Sequence, residues 1–324
     1  MKNILLFLAV LSLSLMVSCN GGKKNSADQT ETNDTVKKVS ADTKKKENDL
    51  SKYKLKGEIK TRTENYYRVV KNPGGYTKGE IINKTTLRFN TKGYKTEEDY
   101  YNTDGSLKGK WIFKYDADDR MTGMERYNAQ DSLERKYIYE YDNKGNMTGE
   151  TVCNADKLEH KNSYLYDYKG NLLQYISYNP DGGVQYKSVS VYNYDDRGNK
   201  TMENNYSSYG YRTTLTFDSK GNRTGSVAYK SDGSIDHREI RTYDKGFWLG
   251  YTIYNADGSI HSKAVYKNND KGDRVEENQY RSDGSLERKT VIEYEYDKIG
   301  NMIKCDTYEG GALVSAYEFE IEYY

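Results

Sequence analysis

The chain has 324 residues, 35% of them hydrophobic, and a mean hydropathy of −1.03, with 35 Tyr against 6 Phe. Fifty basic and 49 acidic residues leave a net charge of +1, which gives no electrostatic case for nucleic acid or for steering a charged substrate. Tyrosine can bury its ring and keep its hydroxyl wet, so a thin, tyrosine-rich core is expected in place of a thick aliphatic one.

The first element is a leader. Met1-Lys2-Asn3 carries a positive charge, an apolar run extends from Ile4 to Val17, and Ser18-Cys19 follow. The run is too short for a membrane span and reads as a secretory signal over 1–18. Leu15-Met16-Val17-Ser18-Cys19 resembles a bacterial lipobox. That resemblance implies lipidation at Cys19, a chain anchored by acyl groups, and an outer-membrane lipoprotein facing the periplasm or the cell surface. Residues 19–52 are rich in Lys, Asp, Asn, Thr and Ser and lack apolar periodicity. Such a segment cannot bury enough surface to order itself, and a flexible tether is expected there.

Residues 53–88 stand outside the repeat that follows and contain Asn72-Pro73-Gly74-Gly75, the turn of an N-terminal capping hairpin. From 89 to 315 a unit of about 26 residues recurs in nine degenerate copies. One turn, Tyr-Asp-x-x-Gly-Asn, has its glycine at Gly145, Gly170, Gly198, Gly221 and Gly300; the other, Tyr-Asn-x-Asp-Gly-Ser, at Gly105, Gly182, Gly258 and Gly284. An Asx residue followed by Gly three places on suits a type I turn closing through a G1 bulge. The stretches entering the first turn alternate, as in Trp111, Phe113 and Tyr115, and period two means strand. Those leaving it alternate poorly, and many carry a central glycine such as Gly123, Gly149 or Gly225. A strand glycine points to a bulge or a close backbone approach. The last strand, over 316–324, sets Glu318, Glu320 and Glu322 opposite Tyr317, Phe319 and Ile321, a pattern fitting a charged, exposed edge. The expected fold is therefore all-β: an antiparallel β-hairpin repeat array coiling as a twisted meander, a β-solenoid-like ribbon with open, capped ends.

The segments Tyr139-Glu140-Tyr141-Asp142-Asn143-Lys144-Gly145-Asn146 and Tyr294-Glu295-Tyr296-Asp297-Lys298-Ile299-Gly300-Asn301 resemble the YD repeat of RHS-type proteins. The resemblance covers about residues 85–315 and implies a spiralling β ribbon. In long members of that family the ribbon forms a shell around a C-terminal toxin, and binding to carbohydrate or cell surfaces has been attributed to some members. The Asp-Gly-Ser turns are more weakly similar to MORN-type repeats.

Catalytic chemistry finds no constellation. His160, His237 and His261 fall in three different repeats with no recurring nucleophile beside them. No spacing matches a metal site, no cofactor is implied, and Cys153 and Cys305 are expected as free, partly buried thiols. The aromatic residues Trp111, Tyr175, Trp248 and Tyr251 interrupt the plain repeat and are the candidate ligand platform. The resulting expectation is a non-enzymatic, lipid-anchored repeat protein that binds a glycan or an envelope or host protein. The alternatives are a periplasmic structural scaffold and a relative of RHS toxin systems without the toxin domain.

Overall fold

The computed structural model describes residues 47–324; the leader, Cys19 and most of the tether lie outside the described residues. One helical turn, α1 (Asp49–Lys52), is followed by twenty strands. These are β1 (Ile59–Asn72), β2 (Gly75–Phe89), β3 (Lys95–Tyr101), β4 (Leu107–Tyr115), β5 (Met121–Asn128), β6 (Leu133–Tyr141) and β7 (Met147–Asn154). Then come β8 (Lys157–Tyr166), β9 (Leu172–Tyr178), β10 (Val184–Tyr194), β11 (Lys200–Ser207), β12 (Arg212–Phe217), β13 (Arg223–Tyr229) and β14 (Ile235–Asp244). The chain ends with β15 (Phe247–Asn255), β16 (Ile260–Asn268), β17 (Arg274–Tyr280), β18 (Leu286–Tyr296), β19 (Met302–Glu309) and β20 (Ala312–Tyr323).

Each strand pairs antiparallel with the next, and β20 pairs with β1 in the register Arg62↔Ile321, Glu64↔Phe319 and Tyr66↔Tyr317. The sheet is a closed barrel of 20 strands, which corrects the expectation of an open solenoid-like ribbon. Strand β20, expected as an exposed edge, is bonded on both sides, to β19 and β1. Its glutamates serve the seam. Glu320 accepts a hydrogen bond from buried Asn65 at 2.8 Å, and Glu322 pairs with Lys60 at 2.7 Å. On the other face Tyr66 stacks on Tyr317 with ring centroids 4.6 Å apart.

The turns explain the regular hairpins. Gly145 lies at φ 85°, its N–H donates to the Asp142 carbonyl at 3.1 Å, and the Asp142 N–H donates to the Asn146 carbonyl at 2.9 Å. The ladder slips by one residue beside such turns, between Glu140 and Tyr141, Asn193 and Tyr194, and Glu295 and Tyr296. Each slip is a bulge, which sharpens twist and bends the strand. The short turn at Lys245-Gly246 has positive φ at both residues, 49° and 88°, and joins β14 to β15 with two residues.

Two tyrosines per motif give the curl a direction. The hydroxyl of Tyr294 donates to the carbonyl of Arg274 at 2.8 Å, and that of Tyr296 to Asp273 at 2.7 Å. Tyr194 reaches Asp167 at 3.0 Å, and Tyr323 reaches Asp297 at 2.6 Å. These bonds reach the first-type turn of the preceding repeat or the first strand residue after it. These repeats are thereby tied to their predecessors on one face. Trp111 on β4 and Tyr137 on β6, with β5 between, bring their rings to 5.9 Å, closer than the roughly 10 Å between alternate strands. Side chains converge on a concave surface, so the tyrosine face lines the lumen. Bulges and tyrosine ties together bend the meander until its ends meet, a consequence invisible in one repeat read alone.

The segment before β1 fastens the seam at the Gly-Asn rim. Leu50 and Leu55 pack with Ile59, Leu87 and Phe89, and Ile321 and Tyr323 lie against them. Asp49 accepts from the Lys95 N–H at 2.8 Å and the Tyr115 hydroxyl at 2.9 Å. Asn301 clasps the backbone of Lys56 from both sides, at 2.7 and 2.9 Å. Residues 49–52, assigned from sequence to the tether, are thus docked as α1.

Candidate functional site: the tyrosine-lined inner wall

Residues facing each other across an antiparallel ladder share a face. Following the registers Tyr139↔Glu150, Glu150↔Asn162, Tyr164↔Tyr175 and Tyr175↔Ser188 traces the inner wall from β6 to β10. Here four tyrosines form a continuous flight. Ring centroids are 5.3 Å apart from Tyr164 to Tyr175, 5.9 Å from Tyr175 to Tyr186, and 5.6 Å from Tyr186 to Tyr209. Neighbouring planes are inclined to one another by 42°, 49° and 46°. Tyr209 sits at the rim and is 61% exposed; the other three descend the wall, half-buried.

Three of the four hydroxyls are held. Tyr175 donates to Asn162 at 3.0 Å, Tyr164 to Glu150 at 3.3 Å, and Tyr209 to the carbonyl of Gln185 at 3.2 Å. Asn162 is buried, and its amide donates to Glu150 at 2.6 Å. Burial, with the Glu150 charge beside it, pushes the Tyr164 hydroxyl well above its ordinary range, so it stays a proton donor.

The four aromatic candidates from sequence do not meet in one place. Tyr175 belongs to the flight just described. Trp248 and Tyr251 are neighbours at 6.2 Å, but Tyr266 meets Trp248 edge-on at 5.0 Å, and the guanidiniums of Arg241 and Arg274 lie 5.0 and 5.4 Å from its ring. The Trp248 indole N–H donates to the Gly250 carbonyl at 3.0 Å. Its surroundings are filled by the protein's own side chains. Trp111 borders a cavity of about 270 Å³ lined also by Tyr100, Lys108, Gly109 and Arg126. Tyr164, Tyr186 and Tyr209 were not singled out from sequence. Tyr164 is hidden inside a repeat motif, and only the three-dimensional stacking distinguishes the others.

Among the described residues no group of His, Cys, Asp and Glu is placed to hold a metal. His237 faces its neighbour Asp236 at 2.9 Å on the surface. Cys305 is free, and burial pushes its thiol up to about 11. Cys153 is buried.

The outer wall is charged. Glu125 is gripped by Lys114 at 2.6 Å and Lys136 at 3.7 Å, and Lys304 bridges Glu295 and Asp306 at 2.8 and 3.3 Å. Asn278, Lys267 and Lys289 hold the Glu276 carboxyl down at about 2. A lipid-embedded barrel needs an unbroken apolar outer band, and a lysine at its midplane costs about 2–4 kcal/mol. These ion pairs interrupt such a band, and the inner wall carries Lys200–Glu203 and Arg274–Glu277 pairs among its tyrosines.

No protein-family model matches the chain, and no curated protein sequence is similar to it. Among solved structures, a porin-like protein from Bacteroides uniformis aligns at 10% identity over 82% of this chain and 98% of its own, with a TM-score of 0.33. A porin-like protein from Bacteroides vulgatus aligns at 10% identity over 83% and 99%, with a TM-score of 0.29. The TcdB2-TccC3 complex aligns at 14% identity over 76% of this chain but 16% of its own, with a TM-score of 0.30. Likenesses this loose carry no argument about function.

Proposed function

We propose that this chain is a non-catalytic, lipid-anchored envelope protein that holds a glycan or a protein partner against the tyrosine-lined inner wall of its barrel. The observation that carries the reading is the uninterrupted aromatic flight Tyr164–Tyr175–Tyr186–Tyr209. Aromatic rings with hydroxyls at their edge suit ligands that combine apolar faces with polar rims. The leader ending at Cys19 supports the anchor, and the charged outer wall supports a barrel held in water beside the membrane. The reading retains kinship with YD-repeat proteins, on the Tyr-x-Tyr-Asp-x-x-Gly-Asn copies. A glycan microarray probed with the full chain, beside a pull-down from envelope extract, tests the binding. The account expects a ligand whose capture weakens on Tyr175→Ala. A ligand captured equally by that variant, or none from either source, would contradict it. For the anchor, Cys19→Ala is expected to move the protein from the membrane fraction to the soluble one.

A further inference from the structure

We infer that the Tyr164–Tyr175–Tyr186–Tyr209 flight is a track for a neutral, extended, 1,4-linked oligosaccharide entering from the rim at Tyr209. This rests on the reading of the barrel as a binding protein and gives its ligand a chemical class. The first ground is spacing. The three steps of 5.3, 5.9 and 5.6 Å are close to the advance of one sugar unit in an extended 1,4-linked chain, so successive pyranoses meet successive rings. A ligand with longer or irregular repeats would not keep that register. The second ground is regularity of inclination. Neighbouring planes inclined by 42°, 49° and 46° offer successive sugar units similar steps.

The third ground is pre-organisation. Hydrogen bonds from Tyr164, Tyr175 and Tyr209 to Glu150, Asn162 and the Gln185 carbonyl fix three rings before any ligand arrives, which lowers the ordering cost of binding. The Tyr209 turn is itself fastened down, since the Ser208 N–H donates to the Lys187 carbonyl at 2.8 Å. The fourth ground is charge. The Glu150 carboxylate, held by Asn162 at 2.6 Å, stands at the inner end and opposes uronic or sulfated sugars.

Isothermal titration of the full chain with cellohexaose and chitohexaose, and with their disaccharides, tests this. The hexasaccharides are expected to bind, the disaccharides to bind at least about tenfold more weakly, and Tyr175→Ala and Tyr186→Ala each to lose about tenfold or more. Tyr175→Phe, which keeps the ring, retains most of the affinity, and Tyr211→Ala, at an exposed position 58% accessible with no part in the flight, leaves it unchanged. Unaltered hexasaccharide binding by folded Tyr186→Ala would overturn the track while leaving glycan binding in place. Failure of both hexasaccharides to bind, beside an array hit on an acidic or branched glycan, would overturn the chemical class alone. Failure of both beside an array without hits and a pull-down without a partner would overturn class and binding function together.

Discussion

The aspartates that open the first-type turns act through their side chains. Asp142 accepts hydrogen bonds from the Asn146 amide at 2.8 Å and from the backbone N–H groups of Lys144 and Asn146 at 2.9 and 2.8 Å. The same arrangement recurs at Asp195 and Asp218. The side-chain amide first, and then the backbone donors, hold all three carboxyls below their ordinary range. A carboxyl depressed in the folded state contributes stability that is present above its unfolded value, about 3.9, and is lost as pH falls through the folded value. The thermal midpoint is therefore expected to hold from pH 7 to about pH 4 and to fall steeply below it. Replacing Asp142, Asp195 and Asp218 together by Asn, which keeps an acceptor oxygen, is expected to flatten that fall. A midpoint equally acid-sensitive in the triple variant would show that other carboxyls govern it. Nature has made the substitution at Asn90 and Asn269, whose side chains accept the corresponding backbone bonds.

Strands entering and leaving the first-type turn differ for a reason the structure supplies. On Gly123, in the middle of β5, a Cβ would stand 2.3 Å from the carbonyl oxygen of Tyr137. The next strand's backbone occupies that space, so the glycine serves close approach of two main chains. At Gly258, a turn position at φ 86°, a Cβ would meet nothing, and only the left-handed conformation disfavours a side chain. Gly258→Ala is expected to cost about 1–2 kcal/mol. Gly123→Ala, which must move backbone, is expected to cost about 3 kcal/mol or more. Denaturant unfolding of both variants checks the order, and a milder Gly123→Ala would mean the ladder yields easily there. Strand and turn positions were legible because alternation and Asx-Gly spacing are local signals. Trp111 and Tyr115 mark the inner face by parity alone. The poorly alternating strands hid their inner face because glycine stands where an outer side chain would have marked the opposite one. The tyrosine flight was only partly legible: Tyr175 broke the pattern, whereas Tyr164 looked like any other motif tyrosine.

At the scale of the whole molecule, closure replaces capping. The repeat shows that each hairpin follows the last, but not how sharply the sheet bends. That depends on bonds such as Tyr296 to Asp273 and Tyr194 to Asp167, which join separate repeats. The glutamates of β20 look like edge protection in sequence, yet Glu320 and Glu322 pair with Asn65 and Lys60 across the seam. Closure leaves no unpaired strand edge among the described residues, and it places the Tyr164–Tyr209 flight inside a lumen. Amide hydrogen exchange on the full chain tests this account most directly. Peptides covering 59–67 and 316–323 are expected to be as protected as those from β5 and β6, because both strands are bonded on both sides. Rapid exchange of half the amides in β1 and β20, with the interior strands protected, would mean that the ends are free and the barrel is open.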